Sequence, residues 1–237
     1  MDVQAALGLW DGFPLGVGAR PIVLMDSAIG PGRLPRVEDR ERVLGGRPVV
    51  SEVELPAGVL ERLQPEPGPR RDLEPVRVVG VRQVYPEFRT DRGHRPLPAW
   101  RVEFAVAERR TRVGGGSSTL LVLSDWAEER SWWPAGLSRR WLGGEPGMSA
   151  AVLTDRGRTV RMVVGGALPG CTEVLVWAVH ESRTAVLVEI EEVDLHPGAP
   201  MPLAMVGRPV AFRLREELGA RVLVRADGVP IEVVPAG

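Results

Sequence analysis

The chain has no lysine and no asparagine, and a single cysteine among 237 residues. All 30 basic residues are therefore arginine, set against 31 acidic ones for a net charge of −1. Arginine forks carboxylates and phosphates more readily than lysine. Here the arginines are interleaved with Asp and Glu, as in RVEDRER, so the pattern reads as compositional bias of the genome. A near-zero balance gives no electrostatic footprint for nucleic acid. With Cys171 alone, an internal disulfide is excluded. No apolar run approaches the ~18 residues that a membrane-spanning helix needs, so no integral membrane segment is expected. The first residues, MDVQAALGLWDGFPLG, lack the basic and apolar regions of an export signal. As written, the chain is expected in the cytoplasm, or in the cell envelope or outside the cell if the true start lies upstream.

What remains is a globular composition, 44 % hydrophobic and 26 % charged. A chain of this length buries roughly 70 % of its unfolded surface, enough for a core without metal or disulfide. The richest pattern is C-terminal. From residue 149 to 234, short β-branched runs follow one another, each closed by a turn: SAAVLT, RTVRMVV, EVLVWAVH, TAVLVEIEEV, RPVAFRLR and RVLVRADGVPIEVV. In 173–180 both alternating faces are apolar, which predicts a central strand covered on both sides. In 184–193, Val186, Val188 and Ile190 oppose Glu189 and Glu191, which predicts one solvated face.

Upstream, Trp100, Val102, Phe104 and Val106 alternate with Arg101, Glu103 and Ala105, the cleanest two-residue period in the chain. Gly80 invites a bulge in the strand over 75–85. PAGVLERLQ at 56–64 predicts one short helix, with Pro56 in its first turn. Residues 1–20 read as an arm, with Trp10 and Phe13 tucked against the body. Prolines 65, 67 and 69 suggest a linker at 65–73. These signals predict an all-β (mainly β) chain, an antiparallel sandwich or barrel-like sheet pair. An N-terminal segment (1–70) with one or two strands and a short helix packs on a main β domain (75–237).

TDRG occurs twice, at 90–93 and 154–157, a hairpin-turn signal in the second place. Four residues of common turn chemistry do not establish a duplication.

Three stretches, TDRGHRPLPAWRVEF (90–104), GCTEVLVWAVHESRTAVLV (170–188) and ELGARVLVRADGVPIEV (217–233), resemble a group of actinobacterial secreted or lipoprotein-like β-rich proteins with no settled function. The resemblance spans about residues 75–237. It implies a β-rich body and an exported location. Those proteins usually carry an export signal and a second cysteine; this chain shows neither, and PMPLAMV (200–206) stands where that cysteine is expected. Cys171 is then an unpaired thiol, in keeping with a reducing compartment.

The sharpest candidate site is the connection over 125–147, DWAEERSWWPAGLSRRWLGGEPG. It holds four of the seven tryptophans, Trp126, Trp132, Trp133 and Trp141, beside Arg130, Arg139 and Arg140. Burying one tryptophan removes about 150–250 Å² from water. Three readings follow: a lid whose rings cap the core, a recognition surface, since Trp and Arg are favoured interface anchors, or a membrane-surface role. The candidate binding residues are Trp126, Trp132, Trp133, Arg139, Arg140 and Trp141, with a protein as the partner. Other chemistries have little support. The acids Glu189, Glu191, Glu192 and Asp194 with His196 resemble a metal set only loosely, and the three histidines lack zinc spacing. GGGSS at 114–118 precedes a strand and lacks the helix that a phosphate cradle needs. Cys171 with His180 has no evident activating group. No catalytic residue, metal or cofactor is assigned. The leading reading is a non-catalytic binding or structural β module. The alternatives are a hydrolase-like enzyme built from dispersed residues such as Asp91, His94 and Glu103, or a subunit of a larger assembly.

Overall fold

A computed structural model describes residues 2–16, 18–25, 29–31, 44–64, 73–105, 118–137, 150–198 and 204–236. The chain is all-β: the described residues are mostly strands, with three short helices and no closed barrel among them. Its residues fall into two units, each assembled from separated segments. One comprises Met1–Met25, Arg89–His94 and Trp132–Gly237; the other comprises Asp26–Phe88 and Arg95–Ser131.

The first unit is a sandwich built from the C-terminal ladder. One sheet runs in the order β14 (Met205–Arg213), β11 (Thr159–Ala167), β10 (Ala151–Thr154), β16 (Val233–Pro235). The other runs β12 (Thr172–Glu181), β13 (Ala185–Asp194), β15 (Val222–Arg225). Every one of the six runs forms a strand because β-branched residues alternate onto a shared interior. Val160, Met162 and Val164 from one sheet meet Val186, Val188 and Leu223 from the other. Two contacts within the ladder are parallel, β10 with β16 and β13 with β15.

The outward face of β13 and β15 has a separate cover. Helix α1 (Val3–Gly8) and the turn after it bring Ala6, Leu7, Trp10 and Phe13 onto Ala185, Leu187, Val222 and Val224. The arm thus packs where Trp10 and Phe13 suggest, and Trp10 and Phe13 are fully buried. The indole N–H of Trp10 donates to the Gly228 carbonyl at 2.9 Å. Gly228 has φ +81°, and a Cβ there would come within 2.9 Å of Leu9 Cδ1. The backbone at this position therefore favours glycine, while the Leu9 side chain could shift aside.

One strand assignment is corrected. Among the described residues β12 is not central: it lies at the edge of its sheet, and Leu175 and Trp177 on its outward face are exposed. β13 is the two-sided strand, with Ala185–Val188 all buried. The arm covers one end of the sheet only, so apolar residues on both faces of β12 did not imply burial on both.

The second unit centres on a five-stranded sheet ordered β2 (Ile29–Pro31), β8 (Ser118–Leu123), β7 (Ala99–Ala105), β4 (Val76–Val84), β3 (Val49–Ser51). The period-two pattern in β7 holds: Val102 and Phe104 are buried against Val76, Val78, Leu120 and Val122. The register of β4 on β7 slips between Val78 and Gly80, the bulge that Gly80 invites. Helix α2 (Val59–Leu63) closes the core with Val59 and Leu63. The expected linker at 65–73 falls almost wholly outside the described residues.

Candidate functional site

The interior of the second unit thins toward one end of its sheet. Gln83 pairs with Trp100 across β4 and β7, on the face that Val81 and Val102 occupy one step inward. Trp100 still packs on the core, whereas Gln83 is exposed. Beyond this point the chain supplies prolines and rings instead of strand residues.

Backbone hydrogen bonds tie the loops at this end together. The Leu97 N–H donates to the Pro86 carbonyl at 3.1 Å, joining the turn after β4 to the one before β7. The Ser124 N–H donates to the Pro98 carbonyl at 3.0 Å, fixing the end of β8 beside them. Ser124 then caps helix α3 (Asp125–Glu129), its Oγ accepting from the Ala127 N–H. Arg62 on α2 reaches across to α3, with Nη2 2.5 Å from Asp125 Oδ1 and Nη1 on the Glu128 carboxylate. Arg62 also donates from Nε to the Gly58 carbonyl at 3.2 Å.

The result is an open groove of about 630 Å³ lined by Pro56, Gln83, Tyr85, Pro96, Pro98, Trp100, Ser124, Asp125 and Trp126. Tyr85 is 65 % exposed and Trp126 51 % exposed, an uncommon state for large rings. The Trp126 ring is held in place. The Arg130 guanidinium carbon lies 4.2 Å from the Trp126 ring centroid, a cation–π contact, and Arg130 Nη1 also donates to the Trp126 carbonyl at 3.3 Å. The carboxamide of Gln83 has no hydrogen-bond partner among the described residues.

The candidate residues of the 125–147 connection separate. Trp126 lines the groove. Trp132 and Trp133 belong to the first unit and pack with the N-terminal arm. Trp132 lies 5.3 Å from Trp10 and 5.2 Å from Phe13 between ring centroids. Trp133 lies 6.4 Å from Trp10 and donates its indole N–H to the Leu137 carbonyl at 2.7 Å. The guanidinium of Arg20 covers the other aromatic of this box, 5.0 Å from the Phe13 centroid. Arg139, Arg140 and Trp141 lie outside the described residues.

The dispersed polar residues are engaged one by one. Asp91 is buried and held by Arg20, with Nη1 at 3.2 Å from Oδ1 and Nη2 on Oδ2. His94 Nδ1 lies 3.6 Å from Glu232 Oε1, and Arg89 Nε donates to Oε2 of the same residue at 2.7 Å. Glu103 belongs to the other unit and faces Arg82 at 4.0 Å. Within the acidic run 189–194, Glu192 accepts from the Thr172 hydroxyl at 2.5 Å and the Ala167 N–H at 2.6 Å. Those two bonds hold its carboxyl below the ordinary carboxylate value. Glu189 meets His180 Nε2 at 2.6 Å. No group of three metal-ligating side chains occurs among the described residues.

The chain matches no protein-family model, no curated protein and no solved structure. Function must therefore be read from the groove itself. Sequence reasoning reached Trp126 but missed Gln83, Tyr85, Pro96 and Pro98. A signal was present: the chain's only tyrosine stands before Pro86 at a strand end, and Pro96-Leu97-Pro98 opens β7. No helix among the described residues is long and apolar enough to cross a membrane.

Proposed function

We propose that the chain is a non-catalytic binding module that captures an extended, proline-containing segment of a partner protein in the Tyr85–Trp126 groove. The observation that carries this reading is the pair of exposed rings facing an open groove walled by three prolines. Proline-rich segments adopt the polyproline II helix, which has no internal hydrogen bonds and leaves its carbonyls bare. Grooves that recognise it present flat aromatic rings for the proline rings and a donor for those carbonyls. Tyr85 and Trp126 supply the rings, and the free carboxamide of Gln83 supplies the donor. Proline walls and cross-tied loops add rigidity, so little conformational freedom is lost on binding.

The groove suits a sugar less well. A pyranose presents hydroxyls around its whole rim. Here Asp125 is engaged by Arg62, and the Ser124 oxygen caps α3.

Calorimetric titration of the full chain with decaproline tests the reading, with cellohexaose as the comparison. Decaproline is expected to bind, and Trp126→Ala and Tyr85→Ala each to weaken it by about tenfold or more. Binding of the oligosaccharide in place of decaproline would assign the groove to carbohydrate. Binding of decaproline that survives both substitutions would place the site elsewhere.

A further inference from the structure

A second feature, independent of the groove, lies in the first unit. Among the described residues β12 forms a ladder on one side only, with β13, and contains no proline; at its start the Thr172 carbonyl accepts from Arg208 Nη1 at 3.3 Å, and the edge is open from Glu173 onward. Such an edge is a row of unpaired N–H and C=O groups open to another strand. Where the register slips between Val176 and Ala178, Trp177 is the extra residue, and it is 68 % exposed. A bulge re-aims a side chain away from the regular pleat. Here it presents an indole on the outward face beside Leu175, which is 37 % exposed.

Charge selects the occupant. Residues 172–194 carry Glu173, Glu181, Glu189, Glu191, Glu192 and Asp194 against one arginine, Arg183. Glu181, Glu192 and Glu189 are satisfied internally, by Arg221, by Thr172 and by His180. Glu173 and Glu191 have no partner among the described residues. Glu191 is the cross-strand partner of Leu175, and Glu189 that of Ala178 beside the bulge, so these carboxylates share the outward face with Trp177. A second copy of the same edge would set like charges opposite one another, which is unfavourable. A strand bearing arginines meets the reverse: carboxylates within reach of long side chains, and an indole face for a guanidinium.

We propose that the free edge of β12 takes up an extended, arginine-rich segment of a partner protein as an added strand, with Trp177 and the carboxylates Glu173 and Glu191 reading its basic side chains. Backbone pairing supplies affinity in such complexes, and alternate side chains supply selectivity.

Hydrogen exchange on the full chain, carrying Trp126→Ala to silence the groove, tests this with an alternating Arg-Val octapeptide. The amides of β12 are expected to gain protection, with weaker binding as salt is raised. Trp177→Ala is expected to weaken binding by about tenfold, and Glu173→Gln with Glu191→Gln to weaken it by a similar factor. An octapeptide of the same charge with every second backbone nitrogen methylated is expected not to bind, because it cannot complete the ladder. Equal binding of the methylated peptide, equal binding of an alternating Glu-Val octapeptide, protection outside β12, or dimerisation through β12 without peptide would each overturn the proposal. Since the groove is disabled throughout, these outcomes leave the proline-binding reading untouched.

Discussion

Trp126 and Trp132 stand six positions apart in one connection and do opposite work. Trp132 fills an aromatic box with Trp10 and Phe13, so Trp132→Ala is expected to cost about 3 kcal/mol, read as a lower denaturation midpoint. Trp126 is half exposed and outside every core cluster. Trp126→Ala should change stability by no more than about 0.5 kcal/mol in the same titration. The sequence could show only that four costly rings lay close together. Which of them had a pocket depended on Trp10 and Phe13, more than a hundred residues away. The twin TDRG turns make the same point. At 90–93 only Gly93 has positive φ, while at 155–157 Asp155, Arg156 and Gly157 all do. Identical letters adopt different turns because the flanking strands differ. Arg156 at φ 51° is in a region that side chains resist. Arg156→Gly is expected to raise stability by about 0.5–1 kcal/mol, measurable by thermal melting.

At the scale of elements, periodicity found the strands and missed their neighbours. All six runs of the ladder became strands, because two-residue alternation is a local property of the chain. Whether a strand is central or at an edge is not local, which is why β12 and β13 exchanged roles. The short helices α1 and α3 escaped notice because neither has two full turns of apolar repeat. The α2–α3 pair is joined through Arg62, so Arg62→Met should loosen the seat of Trp126. Decaproline affinity is expected to fall several-fold, with the Trp126→Ala variant showing no further loss. Another element-scale test concerns the turn that follows β12. Burial pushes the Glu181 carboxyl up, but the Arg215 N–H at 2.7 Å and the Arg221 guanidinium at 2.8 Å outweigh it, and the net pKa is below the ordinary 4.5. A carboxyl depressed in the folded state adds stability above its unfolded value and loses it as pH falls through the folded one. Stability should therefore decline below about pH 4.5, and Glu181→Gln should flatten part of that decline in acid denaturation.

Across the whole molecule, each unit is stitched from segments far apart in sequence. A reading along the chain sees consecutive stretches and has no signal for such interleaving, because periodicity carries no pairing information. A fragment of residues 75–237 would lack α1, Trp10 and Phe13 from one unit and Leu44, Val49, Val59 and Leu63 from the other. It is expected to lose cooperative unfolding, as followed by circular dichroism.

The groove reading has its own direct test at this scale, because Trp100 and Trp126 line the groove while Trp10, Trp132 and Trp133 pack with one another. In a nitrogen-15 spectrum of the full chain, decaproline should shift the indole signals of Trp126 and Trp100 and leave those of Trp10, Trp132 and Trp133 in place. Shifts confined to Trp132 and Trp133, or no indole shift at saturating peptide, would contradict the account.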